Sequence, residues 1–225
     1  MANNKWNVDL FSSDLSATLL TDLSGAIDTT ILAWVVSKCA AIAEKVCCDR
    51  PIACTAGCPH CCVLNVAILL PEGVIIADWM REQFPLSELD AIRKRLAIHR
   101  AWVRWMDDEE RIAKHAVCPL LDATGHCSIY PVRPMVCRAV ASLDRNSCQA
   151  AFSPVFNDET RLVLADLLRQ AVYDSAFTAL AQALRHHGLD DRSIELCTGI
   201  MTFLEHPEFV EQLLCGEMLP GDLWL

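Results

Sequence analysis

Cys54-Thr-Ala-Gly-Cys58-Pro-His-Cys61-Cys62 is the segment on which the interpretation of this chain depends. Its four cysteines fall in a stretch around Pro51 and Pro59 that has neither helical nor strand periodicity. Core packing does not require such a cluster, because a buried free cysteine behaves as a small hydrophobic side chain. An irregular loop can point several Cβ–Sγ bonds inward, whereas a regular helix or strand can point only one or two. The segment therefore predicts a metal-binding loop.

A second group of four cysteines follows, separated from one another by eight, nine and ten residues. Soft sulfur ligands select zinc, copper(I) or iron–sulfur centres, and eight thiolates suffice for two four-thiolate centres. We expect the two groups to form one joint metal region, with sulfur–sulfur separations near those of a metal site. The predicted ligands are Cys54, Cys58, Cys61, Cys62, Cys118, Cys127, Cys137 and Cys148.

The identity of the metal stays open between an iron–sulfur cluster and zinc, with little to separate them. Structural zinc sites usually use paired Cys-x2-Cys knuckles, and the second group has none. The adjacent Cys61 and Cys62 suit two centres better than one, as in two-cluster ferredoxins, where one cysteine of a run binds the other cluster. His60, His115 and His126 could replace a thiolate on zinc, but with eight cysteines available we favour exposed or outer-sphere roles for them.

Two arginines, Arg133 and Arg138, flank Cys137 closely. A four-thiolate zinc site carries about two negative charges by formal counting, and nearby cations offset that charge and lower thiol pKa values. We therefore predict that both arginines surround the metal site without binding the metal.

The other five cysteines have a simpler interpretation. Cys39, Cys197 and Cys215 stand alone within helical patterns and are predicted to be buried and inert, whereas Cys47 and Cys48 lie at a helix end near the cluster.

Helical periodicity dominates the rest of the chain. The short run 63–70 fits either a strand or the approach to a helix, and Asp122-Ala-Thr-Gly125 between short apolar arms predicts a small β-hairpin. Pro134 can open a short helix that carries Cys137 and Arg138. Residues 1–20 predict a loose arm or a short helix, and further helices are predicted over residues 24–46, 71–83, 87–115, 162–187, 193–204 and 207–214.

The predicted fold class is mainly α: a helical domain with an irregular cysteine-rich metal-binding region that contains a small β-hairpin. Its predicted parts are an N-terminal arm and helix (1–46), a cysteine-cluster metal-binding region (47–150) and C-terminal helices that pack on it (151–225). We expect these parts to form one compact domain.

Composition limits the classes of function. The 225 residues are 53% hydrophobic, enough to bury a core without cross-links, and the formal net charge of -10 disfavours binding to nucleic acid. No signal-peptide core and no apolar run of about 20 residues is present in the sequence. We therefore predict a cytoplasmic protein that does not enter a membrane and whose cysteines are reduced unless a metal binds them.

Residues 50 to 150 resemble the YkgJ-type cysteine-cluster family, described as zinc- or iron-chelating. The resemblance rests on the first cysteine group ending in Cys-Cys and on three motifs that follow it. Three residues separate Cys54 from Cys58, whereas two residues separate the corresponding cysteines in many relatives. The motifs are Cys118-Pro-Leu120, Gly125-His-Cys-Ser-Ile-Tyr130 and Arg133-Pro-Met-Val-Cys-Arg138, and Cys148 completes the eight cysteines usual in the family.

The family resemblance also implies candidate activities. Relatives include flagellin lysine N-methylases, which implies methyl transfer to a protein lysine, although no Gly-rich cofactor loop is visible in the sequence. The spacing Cys54-x3-Cys58-x2-Cys61 also matches radical S-adenosylmethionine enzymes, but Cys62 and the lack of βα repeats count against that class. Two hypotheses remain: a metal centre that supports redox chemistry or catalysis on a protein substrate, and a structural zinc-binding adaptor that docks a protein partner.

Overall fold

The computed structural model describes residues 7–154 and 162–224, and this part of the chain is mainly helical with one small antiparallel sheet, which confirms the predicted fold class. The first residues of the predicted N-terminal arm, residues 155–161 of the predicted C-terminal region and Leu225 lie outside the described residues. The helices are α1 Val8–Asp22, α2 Thr29–Cys47, α3 Leu70–Gln83, α4 Leu86–Val103, α5 Asp108–Ala113, α6 Met135–Ala139, α7 Arg145–Ala151, α8 Leu167–His186, α9 Leu196–Glu205 and α10 Glu208–Leu214, and the strands are β1 Ala67–Leu69 and β2 Ser193–Glu195.

Helix α8 is the centre of one half of the core and α9 of the other. Helices α1, α2 and α6 pack on α8, whose Val172, Tyr173 and Leu180 are buried, while α3 and α4 pack on α9. These helices leave the cysteine-bearing segments along one side of the packed core. Within residues 7–154 and 162–224, no helix is long and apolar enough to cross a membrane.

Four predicted helices differ from the observed ones. The helix predicted from Ser24 begins at Thr29, after the N-cap Asp28. The helix predicted over 87–115 is divided into α4 and α5, because Asp107 leaves the helical conformation and its side chain accepts a hydrogen bond from the Glu110 backbone N–H at 2.8 Å. Helix α8 begins at Leu167, after the N-cap Asp166, rather than at Leu162. The helix predicted from Ser193 begins at Leu196 because residues 193–195 form β2.

The sheet joins two segments that are far apart in sequence. Strand β1 pairs antiparallel with β2, so that Ala67 lies opposite Glu195 and Leu69 opposite Ser193. The predicted hairpin around residues 122–125 forms only as an isolated bridge between Leu121 and Cys127. Its turn is closed by the Asp122 carboxylate, which accepts hydrogen bonds from the backbone N–H groups of Thr124 and His126, so the side chain replaces further strand pairing.

Candidate metal centre

The two cysteine-bearing segments contact each other through glycines in their turns. We call residues 48–66 the first cysteine loop and residues 114–148 the second cysteine segment. Gly57 has a φ of 81°, and a Cβ there would lie 2.9 Å from the His126 ring, while a Cβ on Gly125 would lie 3.7 Å from Pro59. The Cys118 N–H donates to the Cys62 carbonyl at 2.7 Å. This close approach brings the two groups of cysteines to one place.

All eight predicted ligands line a single cavity of about 490 Å³. The first four are on the first cysteine loop, and the others come from the turn after α5, the bridged turn, α6 and α7. The prediction that the two groups share one region is therefore confirmed. A ninth cysteine, Cys197 of α9, also lines the cavity, a position that was not anticipated. Cys197 and Cys39 are buried, as predicted, whereas Cys215 is exposed, so the prediction was wrong for that residue.

The predicted sulfur–sulfur separations are not found. Among residues 7–154 and 162–224, no three His, Cys, Asp or Glu side chains converge closely enough to hold a metal ion. The thiols are distributed around the cavity instead of meeting at one point. Neutral thiols gain nothing from convergence, and it is a bound cation that draws ligands together and couples its binding to folding. The role of the eight cysteines as ligands thus stays a prediction.

Burial keeps several of these thiols protonated. It raises the pKa of Cys118 to about 12 and the pKa values of Cys127 and Cys137 above their ordinary range. The pKa of Cys61 is raised first by a hydrogen bond with Cys62 and then by burial. A thiol that coordinates a metal is deprotonated outright, so metal binding at this cavity would release protons.

Electrostatic coupling divides most of the thiols into two sets. We call Cys118, Cys127 and Cys137 the inner set, and Cys54, Cys58 and Cys148 the outer set. Burial is the largest cause of the raised pKa of Cys137, and the thiols of Cys118, Cys127 and Cys61 raise it further. Burial is also the largest cause of the raised pKa of Cys148, to which the thiols of Cys54, Cys61 and Cys58 add. The Cys61 thiol therefore acts on a member of each set.

The two predicted outer-sphere arginines differ in their contacts. The Arg133 guanidinium lies 4.1 Å from the centre of the Tyr130 ring, and its Nε is buried without a hydrogen-bond partner. It is also a cation whose charge lowers the pKa of Cys61, Cys127 and Cys137, against the larger effect of burial. The Arg138 guanidinium donates instead to the carbonyls of Arg133 and Pro131, at 2.8 and 3.1 Å. Arg133 is thus the arginine beside the thiols, and Arg138 braces the turn.

The three histidines near the cysteines occupy different environments. His60 lines the cavity, and its Nε2 is buried without a partner. Burial lowers the pKa of His60, and Arg145 lowers it further, so the ring is neutral at pH 7 and can act as an acceptor. His126 is exposed and bonds to Thr124 through Nδ1 at 2.8 Å. His115 is exposed in a left-handed turn with a φ of 50°.

Charged residues from distant helices complete the cavity wall. Arg169 of α8 donates to both carboxylate oxygens of Glu44 on α2, at 3.1 and 2.5 Å, and Tyr173 donates to the same carboxylate. Burial acts to raise the pKa of Glu44, but these hydrogen bonds outweigh it and hold the pKa below its ordinary value. The sequence carried no local signal for this pair, because its partners lie on different helices.

The donor set fits a thiophilic metal. Sulfur dominates it, and one unpartnered neutral imidazole nitrogen, His60 Nε2, is available as well. Such ligands bind zinc, copper(I) and iron–sulfur centres in preference to magnesium or calcium. Metal binding at this cavity is the chemistry that these residues support most directly.

Comparison with known proteins agrees with this donor set. Residues 53–155 match the model of the CxxCxxCC family, which is described as a "Putative zinc- or iron-chelating domain". No curated protein and no solved structure matches the chain. The family name has two residues between its first two cysteines, and this chain has three between Cys54 and Cys58. Residues 53–155 of this chain therefore form a CxxCxxCC domain.

Proposed function

We propose that this chain is a cytoplasmic metalloprotein in which eight thiolates hold two four-thiolate centres, iron–sulfur in the first instance and zinc as the competing identity. The observation that carries the proposal is that all eight predicted ligands, from separate segments, line one cavity of about 490 Å³. Chance burial of cysteines does not place nine of the 13 in the chain around one cavity.

The division of the thiols supports two centres. The inner set needs one further thiolate to reach four, and so does the outer set. Cys61 and Cys62 are adjacent and cannot easily direct both sulfurs to one metal, so we assign one of them to each set. Two-cluster ferredoxins give a precedent, because one cysteine of a run there binds the other cluster.

A colour and metal analysis tests the proposal directly. Anaerobic purification followed by elemental analysis and a visible spectrum is expected to give iron with inorganic sulfide and a brown colour. Zinc alone in a colourless protein would select the competing identity, and no bound metal of either kind would refute the proposal.

Serine substitutions test the two sets. Cys137→Ser in the inner set and Cys148→Ser in the outer set are each expected to remove about half of the bound metal, and the double variant nearly all of it. Cys215→Ser is the matched control, because Cys215 is exposed and lies outside the cavity wall. Complete loss of metal from either single variant would show one joint centre instead of two.

The cavity also supports an enzymatic role for the metal region. Its volume lies in the range of small-molecule sites, about 300–1,000 Å³, and it extends beyond the thiols to charged residues such as Glu44 and Arg111. We propose electron transfer or methyl transfer to a protein lysine as the activities to assay on the metal-loaded protein. Loss of activity in Cys137→Ser and its retention in Cys215→Ser is the expected result.

A structural zinc-binding adaptor is the second candidate, and exposed aromatic residues favour it. Ile98 and Trp102 of α4 and Trp105, two residues beyond its end, are 71%, 48% and 81% exposed. Apolar groups of this kind mark docking surfaces for protein partners. A colourless zinc protein without activity, whose partner binding is lost in Trp105→Ala, would favour this candidate.

A further inference from the structure

The wall of the cavity contains a buried arginine, Arg111. Arg111 of α5 is 4% exposed, lines the cavity, and its Nε has no hydrogen-bond partner. In the described parts of the chain, 7–154 and 162–224, no ion pair involves Arg111. An unpaired buried charge is strongly destabilising, so the guanidinium needs an anion that is supplied from elsewhere.

Two acidic residues of the cavity wall accept hydrogen bonds from other groups and form no ion pair with Arg111. The Glu195 carboxylate accepts hydrogen bonds from the Thr198 N–H and hydroxyl, at 3.0 and 3.3 Å. The Asp108 carboxylate accepts from the Asn65 N–H at 2.6 Å. His99 lines the same cavity, and its imidazole ring is either neutral or cationic, so it cannot serve as the anion.

The thiols are an unsuitable source of this anion. Arg133, not Arg111, is the cation whose charge acts on Cys61, Cys127 and Cys137. The groups on which Arg111 acts are His99 and Cys197, which lie on α4 and α9. Arg111 thus belongs to the part of the cavity around His99 and Cys197, which adjoins Cys118 of the inner set.

We propose that this part of the cavity binds a small carboxylate-bearing molecule, held by two parallel hydrogen bonds from the Arg111 guanidinium beside His99 and Cys197. The proposal deepens the proposed function, because the ligand would occupy the cavity that the metal centres share, and it rests on that function only for the role of the ligand as a substrate. Its binding depends on Arg111 alone.

The charges around Arg111 favour a carboxylate over a phosphate. A planar guanidinium pairs with either group through two hydrogen bonds. Glu195 and Asp108 also line the cavity, and their charges repel a doubly charged phosphate more strongly than a singly charged carboxylate. A monoanion is therefore the better complement of this site.

Saturation-transfer NMR with acetate tests the proposal on the protein as purified with its metal. Wild type is expected to give a saturable acetate signal that formate displaces. Arg111→Met should weaken acetate binding by roughly tenfold to a hundredfold, the value of a lost charge-assisted hydrogen bond. Arg104→Met is the matched control, because Arg104 is exposed, stacks on Trp105 and lies outside the cavity wall.

Arg111→Lys keeps the proposal testable if the Met variant does not fold. Lysine retains the charge and loses the planar fork, so acetate binding should weaken several-fold with metal content unchanged. Equal acetate binding in wild type and the Arg111 variants would overturn the proposal, and so would displacement of acetate by inorganic phosphate more readily than by formate.

Metal content separates failure of this proposal from failure of the proposed function. If Arg111→Met lost both its metal and its acetate binding, the metal–thiolate centre would be identified as the anion and the carboxylate site would be overturned. A purified protein without metal that still binds acetate through Arg111 would refute the metal centre and leave the carboxylate site supported.

Discussion

Glu72 couples the stability of the fold to pH at the helix that carries Cys137. Its side chain is 3% exposed. Its two carboxylate oxygens accept the backbone N–H groups of Leu69 at 3.0 Å and Met135 at 2.8 Å. One carboxylate therefore closes the start of α3 and holds the start of α6. Burial raises the pKa of Glu72 to about 7.

The sign of the pH effect follows from this raised pKa. An unfolded chain has a glutamate pKa of about 4.3, so between that pH and pH 7 the folded protein binds more protons than the unfolded one. Stability then falls as pH rises through this window. The difference between the two pKa values corresponds to a loss of about 3–4 kcal/mol in the free energy of unfolding.

Denaturant unfolding of the metal-free, reduced protein between pH 4.5 and 7.5 measures this loss. Glu72→Gln cannot ionise, so the stability of wild type should fall over this range by about 3 kcal/mol more than that of the variant. Subtracting the two curves removes the contribution of every group that they share. Glu88→Gln, in the exposed first turn of α4, is the control and should follow wild type. Parallel curves for wild type and Glu72→Gln would refute the reasoning.

Three further predictions concern the metal region. Chelation of the metal should remove hydrogen-exchange protection from the first cysteine loop and the second cysteine segment but leave α8 and α9 protected, because those helices have apolar cores of their own; uniform loss across all helices would contradict this. Gly57→Ala should destabilise the contact between the two segments by about 1–2 kcal/mol and weaken metal retention, since its φ is 81° and its Cβ would meet His126. Gly25→Ala, which meets nothing within 4 Å, should change neither quantity. Arg133→Met should lower metal affinity by about 10–100-fold with all thiols present. Arg185→Met is the control and should retain wild-type affinity, because Arg185 is exposed and pairs with Asp191.

The local parts of this structure could be predicted from local sequence signals. Pro71 and Glu72 marked the start of α3, and Pro134 marked the start of α6, because capping and proline geometry act within a few residues. The break between α4 and α5 had such a signal as well, in Asp107 followed by an acidic run, a pattern typical of a helix start. We expected one helix there because the apolar spacing continues past the break.

Contacts between distant residues were beyond sequence reasoning. The pairing of β1 with β2 depends on how α3 and α9 pack, and no turn between the strands announces it. The cysteines of the cavity were recognisable because their spacing is itself the signal. Arg111 and Glu44 were not, because a single charged residue on a helix carries no local mark of the cavity that it faces.

The charges of the cavity indicate what kind of occupant it suits. The chain has a formal net charge of -10, yet Arg111, Arg133 and Arg138 line this one cavity. Glu44 neutralises Arg169 and leaves those three without an acidic partner among the described residues. A hard cation such as Mg²⁺ would be repelled here and would find few oxygen ligands. A thiolate-bound metal carries net negative charge, so it balances Arg133, whose charge in turn favours loss of the thiol protons. Burial keeps these thiols neutral and Arg133 lies beside them, so they suit a metal that is bound as an anionic thiolate complex.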